Sequence, residues 1–334
     1  MNTIKTFGAT LALLLATTAF AGTAVAADQV VIGFSQAASN SAHRNTMTER
    51  NKAYAAENFK DTTLIVTNAE GKSAKQITDI ESLEVQGIQA LMISPQDSAA
   101  VTPIIKDVLK QGIKVVTLER SIEGVPVTLH IGPHNKPIGA LAGQYVVKAL
   151  GGKGNVVEIK GDPAVAPAVE RSEGFHEAIA GSNIKIIAEQ HADWDEEKAL
   201  KFMEDTLQRF GPGEIQAVYA HNDNMAFGAL KAIKAAGRDK EGILIIGIDG
   251  ENRAIRAVAK GDFSATFTYS TVAPEGVIAA HALVTGDTAA LEKLGKMTKH
   301  ADGTMEIEIA SNMVTKDNAA QFFCKGFGDD PECK

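Results

Sequence analysis

Four apolar runs, Val30–Phe34 (VVIGF), Leu64–Thr67 (LIVT), Ala90–Ile93 (ALMI) and Val115–Leu118 (VVTL), decide the fold of this chain. Each is short and mostly apolar, with β-branched residues prominent, and the segments between them, such as Ala74–Val85, carry apolar residues at helical spacing. That alternation is the signature of βα units on a parallel sheet. It recurs in Asn155–Ile159, Ile184–Ala188, Ala217–Ala220 and Ile243–Ile248. The fold class predicted is α/β, with one unit used twice to make two Rossmann-like lobes. Between the halves, Val127–Ile131 reads as a strand, Gly132-Pro133-His134-Asn135 as a turn and Pro137–Leu150 as a helix, which is the first crossover. A strand at Ala265–Tyr269, a helix near Pro274–Val284 and a return strand near Glu306–Val314 predict three passages between the lobes, hence a three-strand hinge. The expected boundaries place residues 27–133 and 270–300 in lobe one, and 134–269 and 301–334 in lobe two.

The first residues set the compartment. Met1–Ala27 has Lys5 as its only charge, an apolar stretch from Ala9 to Phe20 and the small residues Ala24-Val25-Ala26, the layout of a secretory signal cleaved after Ala26. The apolar stretch is too short to span a bilayer, and no cysteine lies near the cleavage point to be acylated, so a soluble periplasmic protein is expected. Removing Lys5 with the signal takes the formal charge from −8 to −9, which disfavours nucleic acid as a partner. A chain of 334 residues ordinarily divides into two domains, because single cores stop growing at about 250–300 residues. Both cysteines, Cys324 and Cys333, fall near the C-terminus, and in an oxidising compartment they are expected to form one disulfide. No histidine lies beside them to complete a metal site.

In open parallel sheets, ligands bind beyond the carboxyl ends of the strands. The residues found there are Ser35 and Gln36, the polar stretch Ser39 to Arg44 that includes His43, the pair Glu119-Arg120, His221-Asn222-Asp223, Asp249-Gly250 and Tyr269. Forked arginine donors, carboxylate acceptors, amides and rings are the mixture that a polyhydroxylated ligand needs, since charge-assisted bonds to hydroxyls are the strong ones. Asn222, Asp223 and Asp249 also stand where helix N-caps belong. Asp193-Trp194-Asp195-Glu196 has capping-box form with Asp193 as the cap, which puts Trp194 in the first helical turn. Pattern alone favours burial for that tryptophan. Arg120 and Arg171 have acidic neighbours with which either could pair on the surface. No nucleophile elbow, Walker loop, dinucleotide-binding glycine motif, H-E-x-x-H or EF-hand loop is present, so no catalytic role, metal or cofactor is expected.

The segments Ile32–Gln36, Leu118–Ile122, Glu170–Phe175, Ala192–Asp195, Tyr219–Ala226 and Gly247–Gly250 give this chain a further identity by likeness. It resembles the ribose-type periplasmic sugar-binding proteins, and especially the galactofuranose-binding branch, over nearly the whole mature chain. The resemblance implies that Arg120 reaches ligand hydroxyls and that the preceding acid contacts ligand; here it is Glu119 where the family usually has Asp. It implies that Trp194 stacks on a sugar ring, and that Asn222 and Asp249 are amide and carboxylate contacts. Arg44 carries over from the galactofuranose branch, while His43 replaces a tryptophan there and two phenylalanines mark the ribose type. Ribose-type members have an arginine at the position of Val169, whereas the other branch uses the arginine matching Arg171. Tyr269 replaces a polar contact.

The function expected is capture of a monosaccharide or sugar alcohol by closure of two lobes, with delivery to an inner-membrane ATP-driven (ABC) permease by a monomeric protein, and with presentation to a chemotaxis receptor as a role that can coexist. The competing reading from another class is a secreted carbohydrate hydrolase using Glu119 and Asp249 as paired carboxylates. A sugar-responsive repressor core shares the fold, but the secretory signal and the missing DNA-binding helices argue against it.

Overall fold

A computed structural model of the protein describes residues 29–328 and 330–333. The expected signal at 1–26 lies outside the described residues. The chain opens with β1 (Val30–Gln36), α1 (Ala42–Asn58), β2 (Thr62–Asn68), α2 (Ser73–Val85), β3 (Ala90–Ser94), α3 (Ser98–Lys110), β4 (Lys114–Leu118) and β5 (Leu129–Gly132). It then crosses into α4 (Asn135–Ala149), β6 (Lys153–Lys160), α5 (Ala166–Ile179), β7 (Asn183–His191), α6 (Glu196–Arg209), β8 (Ala217–Ala220), α7 (Asp223–Ala235), β9 (Leu244–Ile246), α8 (Asn252–Lys260) and β10 (Ala265–Phe267). A return leg supplies α9 (Glu275–Thr285), α10 (Thr288–Leu294), β11 (Met297–Lys299) and β12 (Met305–Glu308), and a last crossing leads to β13 (Met313–Thr315) and α11 (Ala319–Phe322).

The strands form two sheets, ordered β11-β12-β5-β4-β3-β1-β2 and β13-β10-β9-β8-β6-β7. All pairings are parallel except β11 with β12 and β10 with β13. The α/β class with two lobes and three connecting passages is thus what the sequence predicts. Each sheet buries apolar side chains on both faces. Phe34, Met92 and Val116 pack under α1 and α9, while Leu91, Ile93 and Val115 pack under α2 and α3. The second sheet repeats this arrangement with two cores of its own. Burial on both faces explains why the strands read as continuous apolar runs rather than alternating ones.

One expected boundary is corrected. Residues 301–308 do not join lobe two: Met305–Glu308 pairs in parallel with Leu129–Gly132 in the first sheet, and only Met313–Thr315 reaches the second, against Ala265–Phe267. The single return strand near Glu306–Val314 is two strands with the last crossing between them. Helix α4 starts two residues earlier than the sequence suggests, so Pro137 falls in its first turn, where a missing N–H costs nothing.

Candidate functional site

A cavity of about 570 Å³ opens between the lobes at the carboxyl ends of their strands. Of the ten expected ligand contacts, nine line it: His43 and Arg44 from α1, Glu119 and Arg120 after β4, Arg171 from α5, Trp194 before α6, Asn222 before α7, Asp249 after β9 and Tyr269 after β10. Ser35 does not. Strand β1 runs on through Gln36, so Ser35 stays within the sheet, paired with Thr67 and Ile93, and is fully buried. Gln36 instead braces α1 through Thr48 Oγ1, 3.2 Å away.

Glu119 is the centre of the lobe-one wall. Arg44 Nη2 donates to its Oε2 at 2.7 Å, Arg120 Nε lies 3.6 Å from the same oxygen, and the Tyr269 hydroxyl donates to Oε1 at 3.0 Å. Burial opposes ionisation of this carboxyl, but Arg44 and Arg120 overcome that and hold it down at about 2. Burial drives Arg120 down to about 10, with Arg44 adding to the effect. The Arg44 guanidinium also donates to Ser94, and Arg120 Nη1 to the Pro95 carbonyl at 3.1 Å.

Arg171 plays the same part in lobe two. Its Nε donates to Asn135 Oδ1 at 2.9 Å, Nη1 donates to the His221 carbonyl and lies 3.9 Å from Asp249 Oδ1, and its guanidinium stands 4.4 Å above the Tyr269 ring. Burial works against its charge, yet Tyr269 and Asp249 raise its pKa on balance. Burial raises Asp249 well above the ordinary carboxylate range; Arg171 pulls it down, while Glu251 and Glu119 push it further up. The carboxylate at Glu158, beneath this wall, accepts from His221 at 3.0 Å and from His176 at 2.6 Å. Glu158, His176 and Glu189 bring metal-type ligand atoms close together, but Lys160 Nζ stands 2.9 Å from Glu189 and already supplies a cation there.

The capping expectations resolve residue by residue. Asn222 does cap α7, its Oδ1 accepting from the Met225 N–H at 2.9 Å, and its Nδ2 faces the cavity side within 3.4 Å of the Trp194 carbonyl. Asp223 lies inside the first turn, and Asp249 caps nothing, because α8 starts at Asn252. Asp193 is not the cap of α6 either; Asp195 is, accepting from the Lys198 N–H at 2.8 Å. Trp194 therefore precedes the helix. Asp193 and Trp194 both take left-handed conformations, φ 50° and 66°, and turn the half-buried indole so that its outer edge abuts Gly161, where an added Cβ would fall 2.1 Å from the ring. Of the seven non-glycine residues with positive φ among the described residues, four line this cavity: Glu119, Asp193, Trp194 and Asp249. Such strain persists only where the surroundings over-determine it, and it gathers at functional sites.

Gln96, Asp162 and Lys198 also line the cavity and are not among the residues singled out from sequence, while Asn40, within the polar stretch after β1, and Asp193, read as a helix cap, line it as well. Gln96 and Asp162 follow β3 and β6 closely, so the same strand-end rule finds them once applied to every strand. Two buried donors, Arg120 Nε and Trp194 Nε1, have no hydrogen-bond partner among the described residues, and buried donors normally have one.

The site carries an acid-linked cost. Burial lowers His43 to about 4, so between pH 6.5 and 4 the unfolded chain takes up a proton there that the folded protein refuses, and stability falls as pH falls. For Glu119, held at about 2, stability present above pH 4.5 is lost on the way down to about 2. The urea midpoint of the ligand-free protein should therefore drop from pH 6.5 downward, and His43→Gln should remove about 3 kcal/mol of that dependence between pH 6.5 and 4. An unchanged pH profile in that variant would contradict the buried, neutral imidazole.

Comparison with known proteins places this geometry. The family model described as "Periplasmic binding protein domain" matches residues 32–287. The ribose import binding protein RbsB of Bacillus subtilis is 39% identical over 203 residues, spanning 61% of this chain and 65% of that protein. The galactofuranose-binding protein YtfQ of Escherichia coli is 34% identical over 244 residues, spanning 71% and 76%. Among solved structures, an ABC transporter solute-binding protein from Mycobacterium smegmatis with bound glycerol superposes with a TM-score of 0.77 at 30% identity, covering 90% of this chain and 98% of that one. The matched region spans both lobes and most of the cavity-lining residues, and on that ground this chain belongs to the periplasmic binding protein domain family.

Proposed function

We propose that this protein is the periplasmic substrate-binding component of an ABC importer, and that its ligand is a neutral monosaccharide or sugar alcohol held by Arg44, Glu119, Arg120, Arg171, Trp194, Asn222, Asp249 and Tyr269. The observation that carries the reading is one polar cavity walled by both lobes, in which forked arginines are already fixed by carboxylates and amides. A ligand that touches both lobes binds the closed arrangement better than the open one and so shifts the population toward it. The relatives named for ribose, galactofuranose and glycerol support a small polyhydroxylated ligand. The protein acts in the periplasm after loss of its signal, delivers ligand to an inner-membrane permease, and can present it to a chemotaxis receptor.

The hydrolase alternative fits the site less well. Split carboxylate pKa values are what an acid/base pair needs, but both oxygens of Glu119 accept from fixed donors, one from Arg44 and one from Tyr269, so its charge already serves to hold the wall together. The test is a thermal-shift and calorimetric screen over pentoses, hexoses and polyols. At a thousandfold excess over Kd the right ligand should add about 4 kcal/mol to stability. Silence across the whole panel would overturn the sugar reading, and steady release from activated glycosides would replace it with hydrolysis.

A further inference from the structure

The disulfide-closed tail lies outside every role assigned above. Cys324 and Cys333 are bonded, with Cα atoms 5.1 Å apart, as the sequence predicts. The ring they close is seated on lobe two. Phe327 bridges to Glu251, the Asn252 N–H donates to the Phe327 carbonyl at 2.9 Å, and Asn252 Nδ2 donates to the Gly328 carbonyl at 3.1 Å. Arg256 holds the far side through Asp330 at 3.0 Å and Glu332 at 3.4 Å. At Gly326 the backbone comes so near that a Cβ would fall 2.2 Å from the Gly250 carbonyl oxygen. The tail is thus packed against Gly250–Asn252, the loop that follows Asp249.

Its other side meets lobe one. Phe327 is buried, and its ring stands edge-on to that of His43, with centroids 5.3 Å apart and planes at 73°. Arg50, also on α1, donates to the Gly326 carbonyl at 3.5 Å. His43 lines the cavity directly beside Arg44 and donates through Nε2 to the Ser270 carbonyl, 3.1 Å away. A buried aromatic pair therefore links a cavity-wall residue of one lobe to a cross-linked segment of the other, with no ligand involved.

We propose that the disulfide-closed tail is a positioning element of the ligand site: Phe327 acts through His43 to hold the α1 wall against lobe two, and so sets how tightly and how selectively a closed site retains its ligand. The inference rests on the cavity being the ligand site. Contacts between lobes that do not involve ligand favour the closed population, and apparent affinity follows that population. Aromatic pairs in such edge-on geometry contribute beyond their buried area. Cross-linking the tail keeps Phe327 presented, because the open segment would otherwise sample many conformations.

A double-mutant cycle on His43→Ala and Phe327→Ala, read as sugar affinity and dissociation rate, tests this, with Phe327→Leu as a variant that keeps apolar bulk. Phe327→Ala is expected to weaken binding about 3- to 30-fold, mainly through faster dissociation, and to lose most of that effect when His43 is already alanine. Cys324→Ser/Cys333→Ser should reproduce the loss in part, and Phe327→Leu should recover affinity only partly although its ligand-free urea midpoint stays near that of the parent. Effects that simply multiply across the cycle, or an affinity unmoved by Phe327→Ala, would overturn the proposal. If the parent binds no sugar, it is the functional reading that fails; the same four proteins compared ligand-free by small-angle scattering then decide the tail, since loss of the contact should enlarge the radius of gyration of the Phe327→Ala protein and leave the His43→Ala background unmoved.

Discussion

Replacing Glu119 with glutamine is expected to cost the ligand-free protein about 3–5 kcal/mol, the range for breaking a buried ion pair from one side. The side chain is nearly inaccessible and carries the only carboxylate that Arg44 touches within salt-bridge distance among the described residues. With it neutralised, Arg44 and Arg120 become two buried like charges facing one another, and the Tyr269 hydroxyl loses an ionised acceptor. Against a total stability of about 5–15 kcal/mol for a typical fold, that loss is large. It should appear as a lower urea midpoint with an unchanged slope, together with loss of sugar binding. The double variant Arg44→Met/Glu119→Leu should recover part of the stability while still failing to bind, because it removes both members of the shortest pair but leaves Arg120 and the Tyr269 hydroxyl without their carboxylate. A single-variant loss under about 1 kcal/mol would mean that water reaches the pair.

Trp194→Ala should reverse that balance between folding and binding. The indole is only partly covered, leaning on Gly161 and on the edge of the core under α6 and α7, and its other side faces the cavity, with the Arg171 guanidinium 5.5 Å from the ring centre. Truncation is expected to weaken sugar binding by about 1–3 kcal/mol, roughly 5- to 150-fold, through lost stacking area. The ligand-free protein should lose much less than the roughly 3–5 kcal/mol typical of a core tryptophan. Gly161→Ala should weaken binding too, by pushing the ring off its seat. As the sole tryptophan, Trp194 should also report sugar as a saturable change in emission. A variant that keeps full affinity but melts far earlier would return the ring to the core.

Much of this was readable in the chain itself. β-Branched runs separated by helical spacing fix an α/β fold because backbone preference and burial on both sheet faces act over a few residues at a time, and the carboxyl ends of such strands mark the site because helix N-termini and polar loops converge there. By that route sequence position and family likeness point to ten residues, nine of which line the cavity between the lobes. Ser35 failed because one more strand residue, Gln36, moves the exit point. The capping pattern points to Asp193 as the cap and to Trp194 in the first turn of α6, whereas Asp195 is the cap, because two successive left-handed residues leave no mark in composition or period.

Sequence alone determined the two-lobed class, the compartment expected, the cysteine pair and the polar character of the site. Only the tertiary structure decided which charges meet: Glu119 with Arg44 from α1 and with Tyr269 from the far end of lobe two, Arg171 with Asn135 and Asp249, and the tail's Phe327 with His43. Those pairings join residues far apart in the chain and set the pKa values and burial of every group in the cavity. Local propensity carries no information about them, because the energy that fixes each pair comes from desolvation and proximity that exist only once both lobes are assembled.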